Sequence, residues 1–500
     1  MRDDRLSHVP FPFPCEQNGQ GMENGFAGEE RALLSEVPMR FVPHTEEERR
    51  EMLRAIGVER IEDLFADVPE AYRFPPLNLP EPLTELEVRW ELEALAEANI
   101  HTGQYACFLG AGAYRHFIPA VIDELLRRGE FYTAYTPYQP EVSQGTLQAM
   151  FEFQSMICAL TGMEVANASH YDGSSALAEA VLMALRLTRG ERPKVLLFPT
   201  IHPEYRAVVH TYVQHLDVRL EGESGWTLDQ LRRPILLVEE LEARLDAETA
   251  ALVIPYPDFL GRVLPPSRLR ETADRVHQAG ALLIAVVNPI ALALFEPPGS
   301  WGADIVVGEG QPLGIPLSFG GPYLGIMATR MAFVRQLPGR IVGETVDLEG
   351  RRGYVLTLST REQHIRREKA TSNITTNVGL MALAATIYLS VMGKHGLRQV
   401  ASLCYHKAHY LAERIASLPG YEVWREHPFF HEFVVRTPRP VAEINRILYE
   451  DYQILGGYDL GQADPVLAGH MLLCVTEMNT REEIDALVEA LGEIGPAYEG

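Results

Sequence analysis

The chain has 500 residues, which is too long for one hydrophobic core and predicts two or more domains. Its net charge of -24 excludes nucleic acid as the main partner, because phosphate binding needs a basic surface. The longest apolar stretches, 281–295 and 379–393, are shorter than the about 18 residues that a membrane helix needs, so we expect no membrane partner.

The numbers and positions of cysteine and lysine residues limit the kinds of site that the chain can form. The 5 cysteines lie far apart without a C-x-x-C pair, which argues against a zinc site or a disulfide framework and predicts a cytoplasmic protein. Cys404, His406 and His409 share one predicted helix without a carboxylate, so no metal is expected there. Any chemistry that needs a lysine has four candidates, which are Lys194, Lys369, Lys394 and Lys407.

The beginning of the chain differs from the rest. Residues 1–38 have no hydrophobic period and no apolar run long enough for a signal peptide. We interpret them as a disordered tail or, preferably, as the product of a start codon assigned too early, with Met39 as the true start. Residues 39–110 are predicted to form a helical segment, in which Thr45 caps the first helix with Glu48 as its capping-box partner. We expect these N-terminal helices to belong to an oligomer interface.

Residues 111–395 alternate between strand and helix patterns, which predicts a large α/β domain. Several of the strands are continuous apolar runs, as expected where helices cover both faces of a mostly parallel sheet. The predicted strands are 195–198, 218–220, 236–238, 251–254, 282–287, 304–307 and 324–328. Residues 396–500 change character and predict a smaller C-terminal α+β domain.

Three stretches could bind a ligand. Residues 171–175 (YDGSS) precede a helix, and their N–H and hydroxyl groups can either hold a phosphate or simply cap the helix. His202 follows a strand, where it can stack on a flat cofactor or be an ordinary loop residue. Residues 360–373 (TREQHIRREKATSN) form the densest basic cluster. For this cluster we favour binding of a carboxylate, a phosphate or an acidic partner over a solvated helix face.

Residues 302–325 combine a short apolar strand with a loop rich in glycine and proline. Loops beyond the carboxyl ends of parallel strands are where open α/β sheets bind their ligands. In many enzymes that use pyridoxal 5'-phosphate (PLP), such a loop carries the lysine that holds the cofactor as a Schiff base. This stretch contains no lysine.

Several strings resemble the glycine cleavage system P-protein family, in particular its N-terminal-half subunit, subunit 1. They stand at 132–145, 171–180, 201–208, 302–325, 358–374 and 456–461. The resemblance runs in order over about residues 40–500 and implies a fold-type I PLP-dependent transferase-like architecture. It also implies that the chain pairs with glycine dehydrogenase subunit 2, in an α2β2 assembly. The implied reaction decarboxylates glycine and transfers the aminomethyl group to the lipoyl group of H-protein, with PLP as the electron sink.

The resemblance also implies that this half has lost its own cofactor. The other half of the family carries a loop of the form D-x-x-H-x-N-x-H-K-T-F, whose lysine binds PLP. Counting from Asp304 places Pro312 at the lysine position, and a proline cannot form a Schiff base. The acidic residue that normally pairs with the pyridine nitrogen corresponds to Asn288. PLP is therefore expected on the partner subunit, with none bound covalently here.

We hypothesise that the chain completes an active site built mainly on its partner. Gly320 and Gly321 are expected to contact the phosphate of the partner's PLP. The other residues expected in the shared cleft are Tyr135, Tyr138, Ser143, Gln144, Arg361, His364, Arg366 and Arg367. The alternative is an inert scaffold that stabilises the catalytic subunit and docks H-protein. A self-sufficient decarboxylase that uses an unusual lysine is disfavoured by Pro312.

Overall fold

The computed structural model describes residues 44–73, 75–374 and 378–495. The chain divides into two compact units, Met1–Ala96 and Glu97–Gly500. The prediction for residues 1–38 falls outside the described residues.

The helices of the first unit are α1 (Glu46–Ile56) and α2 (Glu85–Glu97). The predicted capping box is confirmed, because the Thr45 amide donates to the Glu48 carboxylate at 2.6 Å and the Glu48 amide donates to the Thr45 hydroxyl at 3.3 Å. Helix α1 ends at Gly57, whose φ of 90° suits a residue without a Cβ. Neither helix buries a side chain, and Trp90 on α2 is 60% exposed. The interface expected on these helices stays a prediction.

The strands of the second unit are β1 (Ala106–Cys107), β2 (Val165–Ala166), β3 (Lys194–Leu197), β4 (Arg219–Glu221), β5 (Thr249–Tyr256), β6 (Leu282–Val287), β7 (Ile305–Glu309), β8 (Gly325–Thr329), β9 (Ile341–Val346), β10 (Arg352–Thr357), β11 (Glu422–Val423), β12 (Glu432–Arg436), β13 (Ile454–Leu455), β14 (Tyr458–Asp459) and β15 (His470–Cys474). Among the described residues, seven of them form the main sheet in the order β2-β8-β7-β6-β5-β3-β4. Pairing is parallel from β7 to β4, and β8 pairs antiparallel with both of its neighbours. The predicted α/β class with a mostly parallel sheet is confirmed.

The helices of this unit are α3 (Ala120–Leu126), α4 (Gly129–Tyr132), α5 (Gln144–Thr161), α6 (Gly173–Leu187), α7 (Pro203–Val213), α8 (Leu228–Leu231), α9 (Pro234–Glu242), α10 (Pro266–Gln278), α11 (Pro298–Trp301), α12 (Gln363–Arg366), α13 (Gly379–Ile415), α14 (Val441–Tyr452) and α15 (Arg481–Ile494). Helix α6 buries 12 of its 15 residues and lies in the core. Its alanine-rich sequence lets it pack closely on the sheet, so its N-terminus is held firmly near the ends of the central strands.

One predicted strand is wrong. Residues 236–238 lie in α9, which begins at Pro234 and buries Leu237, Val238 and Leu241 on one face. Proline at the first helical position and apolar residues spaced by three and four are signals of a helix. A short apolar run does not distinguish a buried strand from a buried helix, which explains the error.

The C-terminal part of the second unit holds an antiparallel sheet in the order β11-β12-β15-β14. One face of this sheet, including Phe433 and Leu473, forms a hydrophobic cluster with α14 and α15, while Val434 and Leu472 belong to the cluster around the main sheet. Strand β1 pairs with β13, so the segment around Ala106 packs against this part of the chain. Helix α13 runs through residue 396, and the domain boundary predicted there stays a prediction.

Helix α13 bends at Gly393, where φ is 57° and ψ is -178°. The two helices predicted at 378–392 and 397–417 meet at this residue. By length and composition alone α13 could cross a membrane, which is weak evidence. In this structure α13 contributes Tyr388 and Cys404, both fully buried, to the protein core.

Candidate functional site

The carboxyl ends of β5, β6 and β7 surround a small cavity. His202, Asn288 and Pro312 all line it, so the three positions expected around a PLP ring do meet in space. The cavity volume is about 70 Å³. Sites for small-molecule ligands usually enclose roughly 300–1,000 Å³. The cavity is therefore far too small for a cofactor of the size of PLP.

Asn288 follows β6 and is bonded within the chain at both ends of its amide. Its Oδ1 accepts from the Ile290 N–H at 2.9 Å, and its Nδ2 donates to His431 Nε2 at 3.1 Å. Burial holds the pKa of His431 well below its usual value, so its ring is neutral and can accept this bond. The Asn288 oxygen is used by the N–H groups of Ile290 and Ala291, and a neutral amide carries no negative charge to pair with a protonated pyridine nitrogen.

His202 is the N-cap of α7 and is likewise satisfied by its surroundings. Its Nδ1 accepts from the Glu204 N–H at 3.1 Å, and its Nε2 donates to the Ala111 carbonyl at 2.8 Å. A Cβ on Gly112 would lie 2.6 Å from the imidazole, so the ring is packed directly against the backbone. These bonds agree with the interpretation of an ordinary loop residue, and stacking of the ring face on a flat cofactor stays a prediction.

No lysine lines this cavity. The Lys194 ammonium donates to the Arg244 carbonyl at 2.7 Å and pairs with Asp246, while the Lys407 ammonium donates to the Glu477 carbonyl at 2.6 Å. Both ammonium groups are held by other parts of the fold. The residues at this edge of the sheet therefore do not fit covalent PLP.

The segment 171–175 caps α6 with its own side chains. The Ser175 N–H donates to Asp172 Oδ1 at 2.7 Å, and the Ser174 hydroxyl donates to Asp172 Oδ2 at 2.9 Å. The structure thus supports the capping interpretation of this segment, and the hydroxyls proposed to hold a phosphate are occupied.

Two buried glutamates line the same cavity and were missed from the sequence. Glu432 accepts from the Ala111 N–H at 2.7 Å and from the Tyr114 hydroxyl at 2.8 Å, and burial raises its pKa to about 7. Burial also raises the pKa of Glu309 to about 7. Glu309 lies within the stretch 302–325 but was not singled out there, and Glu432 reaches the cavity only through the packing of the C-terminal sheet.

A second group of residues, which we call the Arg–Tyr cluster, consists of Tyr138, Arg340, Arg361 and His364. The rings of Tyr138 and His364 are 5.1 Å apart. The Arg340 guanidinium lies 5.6 Å from the Tyr138 ring centroid and donates to the Tyr138 hydroxyl at 3.2 Å. The structure therefore brings together Tyr138 and His364, which the sequence predicted, and adds Arg340, which it did not. Arg361 joins them through the backbone, because its Nη2 donates to the carbonyl of Gly339, the residue before Arg340.

Arg361 and Arg340 are the buried members of this cluster, with 8% and 4% of their surfaces exposed. The Nε of Arg361 donates to the Leu358 carbonyl and its Nη2 to the Gly339 carbonyl, each at 3.1 Å. Within the described residues its Nη1 has no hydrogen-bond partner, and the side chain forms no ion pair. Burial lowers the pKa of Arg361. A buried guanidinium with an open donor has the chemistry of a site for a small anion.

The remaining predicted residues divide into two groups. Tyr135 and the pair Arg366 and Arg367 are exposed, with Tyr135 at 87%. Gln144 bonds to the backbone of Tyr354 in both directions, accepting at 2.9 Å and donating at 2.9 Å, so it fixes β10 rather than facing a ligand. Ser143 is the N-cap of α5 and makes no side-chain capping bond. The structure does not gather these residues into one site within the chain.

Gly320 and Gly321 lie in an exposed turn with φ values of 107° and 147°. The neighbouring Phe319 is 89% exposed. A mainly apolar pocket of about 460 Å³ lies beside the turn, lined by Phe319 and by the segments 100–102 and 114–118 among others. The expected contact of the two glycines with a partner's cofactor is untested and stays a prediction.

The strand order, the mostly parallel pairing and the ligand edge define the fold as that of fold-type I PLP-dependent enzymes. Two solved structures share this fold at low identity. A Burkholderia pseudomallei sphingosine-1-phosphate lyase is 16% identical with a TM-score of 0.59, covering 85% of this chain and 94% of the lyase. A Lactobacillus brevis glutamate decarboxylase is 12% identical with a TM-score of 0.61, covering 86% and 96%.

Closer relatives define the family. The model of the glycine cleavage system P-protein family matches residues 39–491. A probable glycine dehydrogenase (decarboxylating) subunit 1 from Thermomicrobium roseum is 58% identical over 91% of this chain and 99% of its own length. A solved glycine decarboxylase (P-protein), in inhibitor-bound form, is 46% identical with a TM-score of 0.80, covering 91% of this chain and all of that one. The chain belongs to the glycine cleavage system P-protein family.

Proposed function

We propose that this chain is the subunit of a glycine decarboxylase that carries no PLP of its own and acts only with a lysine-bearing partner. Together the two subunits decarboxylate glycine and pass the aminomethyl group to the lipoyl group of H-protein. The relatives named as subunit 1 support the division into two subunits. The partner carries PLP, the assembly is α2β2, and the complex works in the cytoplasm.

The observation that carries this proposal is a family fold whose own ligand edge cannot hold the cofactor. Pro312 stands where a lysine would be needed, Asn288 is a neutral amide bonded to Ile290 and His431, and the cavity measures about 70 Å³. A chain that has this fold but no cofactor site of its own can still contribute side chains to an active site on its partner subunit.

The Arg–Tyr cluster is the contribution that we assign to this chain. Arg361 is buried and presents one open N–H donor, which suits a small anion such as the glycine carboxylate or the phosphate of the partner's PLP. Arg366 and Arg367 are exposed and suit an acidic patch on H-protein better. The basic cluster of residues 360–373 is thereby divided between two roles.

An inert scaffold is the second candidate, and Gln144 favours it. This residue belongs to one of the stretches that resemble the family, 132–145, yet its amide is used to hold the backbone of Tyr354. Resemblance in that stretch can therefore reflect folding alone.

Changing Tyr138 in the assembled complex separates the two candidates. Tyr138→Ala removes a ring that contacts both Arg340 and His364, so we expect turnover to fall by roughly 10–100-fold while assembly is kept. Tyr138→Phe keeps the ring and loses only the bond from Arg340 at 3.2 Å, so it should fall less. The measurement is glycine-dependent CO2 release together with the mass of the complex in solution.

Tyr449→Ala provides the control, because Tyr449 is 43% exposed and its ring packs on Tyr105, in the part of the chain that holds the C-terminal sheet. Normal turnover by Tyr138→Ala in an intact complex would support the scaffold and not the shared site.

A further inference from the structure

Glu309 ends β7 and places its carboxylate at the N-terminus of α6. The Gly173 N–H donates to Oε2 at 2.9 Å. The N–H groups of Gln311 and Leu324 donate to Oε1 at 2.9 and 3.0 Å. Three backbone donors from three different segments therefore point at one carboxylate, and Glu309 as a whole is 9% exposed.

This carboxylate has no cation beside it. Among the described residues Glu309 makes no ion pair, and the titratable groups that act on it or that it acts on are Asp172, Tyr205 and Tyr323. Burial raises its pKa to about 7, and the three N–H donors act in the opposite direction. Backbone donors at the start of a 15-residue helix form an environment that favours a negative group. The three N–H donors favour an anion at this position, and the carboxylate of Glu309 occupies it.

The space around this carboxylate is closed as well. A Cβ on Gly173 would lie 2.2 Å from the Tyr205 hydroxyl and 2.9 Å from the Glu309 amide nitrogen. Glu309 also lines the cavity of about 70 Å³ beside Pro312. The three N–H groups that a phosphate would need are already bonded to the carboxylate while the Glu309 side chain is in place.

We propose that the Glu309 carboxylate takes the place of a ligand's phosphate at the start of α6 and thereby excludes phosphorylated ligands, PLP included, from this chain. The inference rests on the proposed function, in which the partner alone carries the cofactor, and it names the group that keeps the site closed. Its removal leaves the N–H groups of Gly173, Gln311 and Leu324 directed at a space of the size of a small anion.

The test compares melting temperatures of the assembled complex in chloride and in inorganic phosphate at equal ionic strength. The measurement is made at pH 8.5, so that Glu309 is ionised in the wild-type complex. Glu309→Ala empties the site, and Glu309→Gln keeps its volume but replaces an acceptor oxygen with an NH2 group. Glu482→Ala is the matched control, because Glu482 is an exposed glutamate in the first turn of another helix, α15.

We expect Glu309→Ala to melt several degrees below wild type in chloride, and phosphate to restore at least half of that loss. Phosphate should leave wild type, Glu309→Gln and Glu482→Ala unchanged. Glu309→Gln should melt below wild type in both salts, because its NH2 group faces N–H donors. If Glu309→Ala does not assemble in either salt, the test rests on Glu309→Gln: a melting temperature below that of wild type supports the inference, and one equal to wild type overturns it.

Two results would overturn the inference: a Glu309→Gln complex as stable as wild type, or phosphate that raises the melting temperature of Glu309→Ala no more than that of wild type. The readout is thermal and needs no turnover. A negative result here therefore leaves the shared active site standing, and a failure of the shared site would be seen in turnover.

Discussion

Arg361→Ala is expected to lower glycine turnover by the assembled complex roughly 100-fold while the complex stays assembled. The guanidinium is buried, its Nη1 has no hydrogen-bond partner among the described residues, and the charge that acts on it is that of Glu362, so a ligand that reaches Nη1 meets an unpaired donor. Within the chain it bonds only to the Leu358 and Gly339 carbonyls, and losing these bonds costs about 1–3 kcal/mol of local stability. That cost is small compared with the expected loss of activity.

The kinetic pattern identifies the anion that Arg361 binds. A contact with the glycine carboxylate would raise KM for glycine, whereas a contact with the phosphate of the partner's cofactor would weaken PLP retention by the complex. Arg361→Lys keeps the charge without the fork of donors and should recover only part of the activity.

Arg446→Ala is the control for Arg361, because Arg446 lies on an exposed helix face and its ion pair is with the exposed Glu450. If Arg361→Ala assembled normally and turned over glycine like Arg446→Ala, the Arg–Tyr cluster would have no part in catalysis.

Glu432→Gln is expected to become more stable relative to wild type as pH rises from 4.5 to 7. Burial raises the pKa of Glu432 from 4.5 to about 7, so the folded state binds a proton that the unfolded state has lost in this interval. The wild-type chain therefore loses stability by about 1.4 kcal/mol per pH unit through this group, or about 3 kcal/mol in total. The glutamine side chain does not titrate and escapes this loss.

Buried histidines change the stability with pH in the opposite direction, and comparing Glu432→Gln with wild type cancels their contribution. Burial lowers the pKa of His170 to about 4, and a depressed histidine pKa makes the folded state more stable as pH rises. Both proteins share this contribution. The melting temperature of each, measured at intervals between pH 4.5 and 8, should show a gap that changes by several degrees up to pH 7 and then levels off.

Glu450→Gln, on the exposed face of α14, serves as the matched control for the pH series. A gap between wild type and Glu432→Gln that stayed constant over the whole range would show that Glu432 does not titrate as its burial requires.

Most of the main sheet could be predicted from the sequence because the sequence of a buried parallel strand is an unbroken run of apolar residues. The strand 282–287 has the same bounds in the structure as in the prediction. The segment 236–238 shows the limit of this signal, since a run of three apolar residues fits a buried helix equally well.

The candidate site could be predicted only in part. Pro312 and Asn288 could be located by counting along a motif, and the structure does place both at one cavity. The basic cluster could not be divided from the sequence, because the chain turns through left-handed conformations at Leu358 and Arg367 and so buries Arg361 while it exposes its neighbours.

Long-range packing explains what was missed. Glu432 reaches the cavity from the C-terminal sheet and bonds to Ala111, which is 321 residues away in sequence. Glu309 meets the start of α6 across 136 residues. A local pattern carries no information about such contacts, and both carboxylates read as ordinary acidic residues in the sequence.

The most direct test of the account is borohydride reduction of the assembled complex with PLP, followed by mass spectrometry of the two separated subunits. The account predicts a reduced PLP adduct on the partner subunit and none on Lys194, Lys369, Lys394 or Lys407 of this chain. An adduct on any of these four lysines, formed together with CO2 release from glycine, would contradict it.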